Sequence, residues 1–168
     1  MLIQEANYTV YASESQVPPQ DEYDVTKGFT YMYINGKPLF PFGHGLSYTT
    51  FNYSKIKISD KKITADDKIT VSVNVKNTGK IAGDEVVQLY VHDVIASVKR
   101  PTKELRGFER ISLQPGETKT VSITIPAEKL AFYDEKTHGF LLEPGVFKLF
   151  VGSSSEDIRL QTKFAVVK

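Results

Sequence analysis

Ile69-Thr70-Val71-Ser72-Val73-Asn74-Val75-Lys76 alternates a β-branched apolar side chain with a polar one over eight residues. Successive side chains of a strand point to opposite faces, so this run predicts a strand with one buried and one wet face. Val121, Ile123 and Ile125, spaced by Ser122 and Thr124, repeat the pattern further along. So do Val87, Leu89 and Val91, then Phe147, Leu149 and Val151. Ile158, Leu160, Thr162, Phe164 and Val166 give a longer last run, and Phe51, Tyr53, Ile56 and Ile58 supply the first. A shorter strand is expected around Leu105 to Leu113.

The segments between these runs carry turn chemistry. Pro115-Gly116 and Pro144-Gly145 each pair a fixed φ with a residue tolerant of positive φ, which predicts two type II turns. Asn77-Thr78-Gly79 is expected to end one strand and Gly83-Asp84 to precede the next. One short helical candidate, Ala127 to Phe132, follows Pro126. About seven strands with regular turns predict an all-β, immunoglobulin-like or fibronectin type III-like antiparallel sandwich over residues 51–168. Residues 1–50 form an irregular N-terminal extension to it. Pro18-Pro19 sits in a polar, linker-like stretch from Ser13 to Asp24. An aromatic-dense stretch follows, with Phe29, Tyr31, Tyr33, Phe40, Phe42, Tyr48 and Phe51. Its prolines and glycines prevent one continuous strand or helix, so its rings must fold back on the sandwich or dock elsewhere.

The chain has 21 basic and 20 acidic residues, a net charge of +1 and no cysteine. Neither nucleic acid nor a membrane is an expected partner on charge grounds. Disulfides, thiolate chemistry and cysteine-held zinc are excluded. The basic run Lys99, Arg100, Lys103, Arg106 and Arg110 is interrupted by Glu104 and Glu109. It reads as a solvated strand face or an interdomain contact. His44, His92 and His138 lack metal-ligand spacing and read as turn or solvent-facing residues, so no metal and no cofactor is expected. Gly43-His44-Gly45 reads as a tight turn bringing backbone against an aromatic surface. Gly152-Ser153-Ser154-Ser155 lacks a nucleophile elbow, and its serines are expected to bond within a loop. The acidic pairs Asp66-Asp67, Asp84-Glu85, Asp134-Glu135 and Glu156-Asp157 read as solvated turn charges, since neighbours on a strand face apart and make no convincing acid–nucleophile set.

Taken in order, several stretches resemble one known module. Lys37-Pro38-Leu39-Phe40-Pro41-Phe42-Gly43-His44-Gly45-Leu46-Ser47-Tyr48-Thr49-Thr50-Phe51 is similar to the lead-in motif of the fibronectin type III-like domain of glycoside hydrolase family 3. Asn77-Thr78-Gly79, Gly83 to Val91, Arg100-Pro101, Gly107-Phe108, Pro115-Gly116-Glu117, Tyr133-Asp134, Glu143-Pro144-Gly145 and Val151 to Ser155 follow in the family's order, across residues 8 to 160. The chain departs from it in two respects. Phe29 and Met32 stand where relatives often carry arginine, and Phe140 stands where a tryptophan is frequent in a hydrophobic site.

The resemblance implies that Tyr8 to Tyr11 ends a preceding α/β-sandwich domain. Residues 1–22 would then be that remnant and its linker, residues 23–50 a docking segment, and residues 51–168 the sandwich. It implies a parent that is a retaining β-glycosidase, acting on terminal β-glucosides or β-xylosides in carbohydrate metabolism. That parent's catalytic residues lie on a barrel and an α/β domain outside this chain, so no catalytic residue carries over. The expected role is a non-catalytic accessory domain docking on both through Leu39, Phe40, Phe42, His44, Leu46 and Tyr48. An alternative is a carbohydrate-binding module that meets oligosaccharide on Tyr90, Tyr133 and Phe150. Alone, the chain is expected to be a monomer or a weak homodimer through residues 29 to 51. Met1 to Glu5 hold neither a basic nor an apolar leader region, so no signal peptide is expected here. The targeting segment of a periplasmic or secreted parent would lie outside this chain.

Overall fold

The computed structural model describes Tyr33 and residues 38–168. Ten strands follow in order: β1 (Phe51–Ile58), β2 (Lys62–Ile63), β3 (Lys68–Asn77), β4 (Gly83–Asp93), β5 (Glu104–Leu113), β6 (Thr118–Pro126), β7 (Phe132–Asp134), β8 (Gly139–Leu141), β9 (Gly145–Gly152) and β10 (Ile158–Val166). A three-stranded sheet runs β1-β3-β6 and a five-stranded sheet runs β2-β10-β9-β4-β5. The six runs of alternation are six of the seven long strands, and β5 is the strand expected around Leu105 to Leu113. The sandwich expectation holds, with one contact outside the antiparallel rule: two-residue β2 pairs parallel to the end of β10.

The alternation does what its period requires. Ile69, Val71, Val73 and Val75 of β3 are buried, and they meet Val121 and Ile125 of β6. From the other sheet come Val87, Leu89 and Val91 of β4, Phe147, Leu149 and Val151 of β9, and Phe164 and Val166 of β10. The rings of Phe147 and Phe164 stack across the strand pair, with centroids 5.5 Å apart. Each such side chain contributes about 1.5–3 kcal/mol when fully buried, so this interior carries the fold. The edge strand β1 is interrupted by a bulge between Ser54 and Lys57, with Lys55 at φ 57°. Bulges and exposed lysines keep such an edge from pairing with another chain.

Local expectations fare unevenly. Gly116 has φ 77°, as a type II turn needs, but Gly145 has no positive φ and opens β9 as ordinary extended chain. Gly83 and Asp84 are the first two residues of β4 rather than a turn before it. β5 is not short; it spans ten residues. The helical candidate shrinks to one 3-10 turn, Ala127–Leu130, because its buried Ala127 and Leu130 leave the chain ready to extend into β7. The β7-β8 hairpin was not legible in the sequence. It carries Tyr133 edge-on to Phe140, with centroids 5.8 Å apart. Phe140 is 82% exposed, so its ring lies outside the hydrophobic site expected for it. Phe29, Met32, Tyr8 to Tyr11 and the linker from Ser13 to Asp24 lie outside the described residues.

Candidate docking interface

Residues 38–50 lead into β1 and cross the outer face of the five-stranded sheet. Gly43 sets the geometry. It has φ 77°, the amide of His44 donates to the carbonyl of Pro41 at 3.0 Å, and the chain reverses there. A β-carbon on Gly43 would lie 2.1 Å from Oε1 of Gln88. The turn is therefore pressed against a side-chain amide, not the aromatic surface expected of it. Nε2 of Gln88 donates to the carbonyl of Gly43 at 3.1 Å and to that of Ser153. The carbonyl of Phe42 accepts from the Ser155 amide at 2.9 Å and from the Tyr90 hydroxyl at 3.4 Å.

This cover explains two burials that alternation misses. Gln88 and Tyr90 point to the outer face of β4, where a solvated side chain is expected, yet they are 5% and 1% exposed. Burial pushes the Tyr90 phenol up to about 12. Tyr90 is thus no surface ring for sugar; Tyr133 is exposed and Phe150 half-buried.

While the backbone of the lead-in segment is held, its side chains face solvent. Leu46 and Tyr48 are more than nine-tenths exposed, Leu39 and Phe40 are largely exposed, and Phe42 is half exposed. His44 is also exposed, with its ring 5.5 Å from that of Phe40. The six candidate docking residues therefore share one short segment and one condition.

Beneath the segment lies an open groove of about 630 Å³. Tyr53, Glu85, Asp157 and Arg159 converge there from β1, β4, the β9-β10 loop and β10. The Tyr53 hydroxyl donates to Glu85 Oε1 at 2.9 Å. The Arg159 guanidinium grips Asp157 with both Nε and Nη2, and lies 5.8 Å from the Tyr53 ring centre. Burial raises the Glu85 carboxyl above its ordinary range, against the opposing pull of Tyr53 and Arg159. Burial, then the nearby Glu85, pushes Tyr53 strongly up. The hydrogen bonds from Arg159 hold Asp157 below the usual carboxylate range.

Glu85 is a correction to the reading of Asp84-Glu85 as solvated charges: it is buried, on the same strand face as Val87 and Leu89. That shared parity was the signal available in the sequence. Asp84 is solvated as expected, and accepts from Ser112 at 2.6 Å and from Arg110. These polar groups hold one another across β1, β4 and β10, so they line the groove as a linked set rather than as groups aimed outward.

The serine loop behaves as expected: Ser153 donates to Asp157 at 2.8 Å, and the Ser154 hydroxyl accepts from the Asp157 amide at 3.0 Å. The basic run does not form one solvated face. Arg100 is almost buried, bonded to Asp93 at 3.3 Å, to Glu104 and to the Leu130 carbonyl at 2.9 Å. Arg106 pairs with Glu104, Lys103 with Glu156 at 2.9 Å, and Arg110 with Asp84. His138 is a turn residue at φ 50°. His92 is half-buried on β4 instead, and no hydrogen-bond partner reaches its Nδ1. Among the described residues no group of three or more potential metal ligands converges, and no helix is long and apolar enough to cross a membrane.

Residues 85–155 match the family model of the fibronectin type III-like domain. The chain is 50% identical over 132 residues to a β-glucosidase of Bacteroides ovatus, covering 79% of this chain and 18% of that protein. It is 46% identical over 163 residues to a putative β-xylosidase of Formosa agariphila, covering 95% and 21%. The crystal structure of a β-glucosidase from Kluyveromyces marxianus superposes with a TM-score of 0.74 at 44% identity, over 82% of this chain and 17% of that one. The chain thus spans about a fifth of the length of the curated relatives it matches.

Proposed function

The chain carries a fibronectin type III-like domain, and on that premise we propose that it is the non-catalytic accessory domain of a glycoside hydrolase family 3 β-glycosidase. The parent would cleave terminal β-glucosides or β-xylosides, and this domain would buttress its catalytic barrel and α/β-sandwich domain. Relatives that carry the same fifth of their length and are named β-glucosidase or β-xylosidase support this reading.

The observation that carries the docking role is the lead-in segment. Its backbone is pinned by Gln88, Tyr90 and Ser155, yet Leu39, Phe40, His44, Leu46 and Tyr48 are left facing solvent and Phe42 is half exposed. A held backbone with unburied apolar side chains is preorganised for a partner surface, because the ordering cost is met before docking. Large exposed apolar patches mark such surfaces. Without the partner, the same patch favours weak self-association of the chain.

The test mixes this chain with the Bacteroides ovatus β-glucosidase truncated of its matching region. Saturable binding is expected, weakened about a hundredfold or more by Leu46→Asp with Tyr48→Ser, since each side chain lost from the interface contributes more than about 1.4 kcal/mol. Both side chains are too exposed for their loss to unfold the domain. Equal binding by the variant, or turnover of a nitrophenyl β-glycoside by the chain alone, would end this reading. Saturable binding of a gluco- or xylo-oligosaccharide to the chain would favour the carbohydrate-binding alternative.

A further inference from the structure

A second set of apolar side chains lies exposed outside the lead-in segment. The loop after β4 presents Val94, Ile95 and Val98 to solvent, and the β7-β8 hairpin presents Tyr133, Phe140 and Leu141. Ile95 and Phe140 are each more than four-fifths exposed. Single exposed apolar residues are ordinary on a protein surface, whereas a group of them held together marks an interaction site.

Polar ties gather these six at one end of the sandwich. The Ser97 amide donates to Oε2 of Glu143, just past β8, at 3.0 Å, and the Val94 amide donates to the carbonyl of Val146 at 3.1 Å. Before the hairpin, Nη1 of Arg100 donates to the carbonyl of Leu130 at 2.9 Å, and the guanidinium lies 5.7 Å from the Phe132 ring centre. Arg100 is itself fixed by Asp93 and Glu104. The loop is therefore tied to the chain on both sides of the hairpin, while Tyr133 and Phe140 hold each other edge-on. As in the lead-in segment, the polar groups are fixed and the apolar side chains stay wet. A surface ordered in advance docks at lower cost.

Position says what covers it. Tyr33 lies against this loop: the Lys99 ammonium is 5.7 Å from its ring centre, and its hydroxyl donates to the Lys99 carbonyl at 3.5 Å. Phe42 beside Tyr90 and Thr49 beside Gly83 then follow β4 back toward its start. The two apolar sets therefore adjoin along β4, one at its end and one across its outer face. On the accessory-domain reading, the catalytic domains join this chain through the residues before Tyr33. The loop beside Tyr33 is the part of the sandwich where that connection arrives.

We propose that the loop after β4 and the β7-β8 hairpin form a second docking surface for the catalytic part of the same glycosidase, with Ile95 and Phe140 as its main apolar contacts. This rests on the accessory-domain reading and adds to it a face remote in sequence from the lead-in segment. The hydrophobic site expected around Phe140 is then supplied by the partner instead of the sandwich.

Binding to the Bacteroides ovatus β-glucosidase truncated of its matching region tests the two surfaces separately. Ile95→Asp with Phe140→Ser should weaken saturable binding about a hundredfold or more, as two apolar side chains leave the interface. The urea midpoint of this variant should stay at that of the unaltered chain, since both side chains are exposed. Thr124→Asp, on the outer face of the three-stranded sheet, should leave binding unchanged. Binding weakened by Leu46→Asp with Tyr48→Ser but not by Ile95→Asp with Phe140→Ser would overturn this surface and leave the accessory-domain reading standing. An equal loss from Thr124→Asp would overturn it too, as an effect of charge without a site. No saturable binding by the unaltered chain would end the reading and this surface together. Self-association that Ile95→Asp abolishes, with glycosidase binding intact, would assign the patch to a second copy and overturn the proposal.

Discussion

The outer faces of the two sheets solve the same problem in opposite ways. On the three-stranded sheet the outward residues pair with one another: Thr70 with Thr124 at 2.9 Å, Ser72 with Ser122 at 2.8 Å, and Thr120 with Asn74 at 3.0 Å. That face is complete in itself and needs only water. On the five-stranded sheet the outward residues of β4 include Gln88 and Tyr90, which are buried because residues 42–43 cross over them. Polar-looking alternation thus has two meanings. Short hydroxyl side chains satisfy each other in place, whereas a long amide and a phenol reach for a cover supplied from elsewhere in the chain.

The sharpest way to break this contrast is Tyr90→Ala. If the outer face of β4 is a second interior, the change should cost about 3–5 kcal/mol, the usual loss for a large buried ring, measured by urea denaturation. A loss under about 0.5 kcal/mol, typical of exposed positions, would mean the cover is not tight. Gly43→Ala comes next. Positive φ at a non-glycine residue costs about 1–3 kcal/mol, and the added carbon would also collide with Gln88. The Ser155 amide, which donates to Phe42, should exchange its hydrogen faster in this variant; unchanged exchange would show that the turn does not hold the segment.

The linked polar set lining the groove gives a pH test. Because the native Glu85 carboxyl is raised, its neutral form is favoured on folding. The associated stability is fully present below its ordinary value of 4.5 and is lost as pH rises through the native value. Glu85→Gln keeps an acceptor for Tyr53 but removes that charge. The variant should therefore melt higher than the parent chain at pH 7, with the gap closing as pH falls below about 4.5. A gap that widens on acidification would reverse the assignment. Asp157 acts in the other sense: its lowered carboxyl lends stability above 3.8 that is lost as pH falls through its native value. The smallest effect belongs to the self-sufficient face. Replacing Thr70 and Thr124 together by alanine should change stability by less than about 0.5 kcal/mol, since both partners leave at once from an exposed site.

Much of the architecture could be read from local pattern. Ile69 to Val75 and Val121 to Ile125 announced their strands because period-two alternation depends only on which residues share a face. The exposed lead-in residues Leu39 to Tyr48 were legible as a candidate surface because prolines and glycines bar them from regular structure. What escaped depends on distant partners. Glu85 looked like half of a surface pair until Tyr53, 32 positions earlier, supplied its hydrogen bond. The β7-β8 hairpin is only three residues a side, too short for any period to register.

Composition and alternation alone thus determined an all-β sandwich with seven long strands and a hydrophobic interior, because each strand writes its two faces into consecutive residues. Only the tertiary structure decided which outward face stays wet and which is roofed, and which charges meet beneath the roof. Those outcomes turn on contacts between residues some 45 positions apart, as between Gly43 and Gln88, and no local period encodes a separation of that kind.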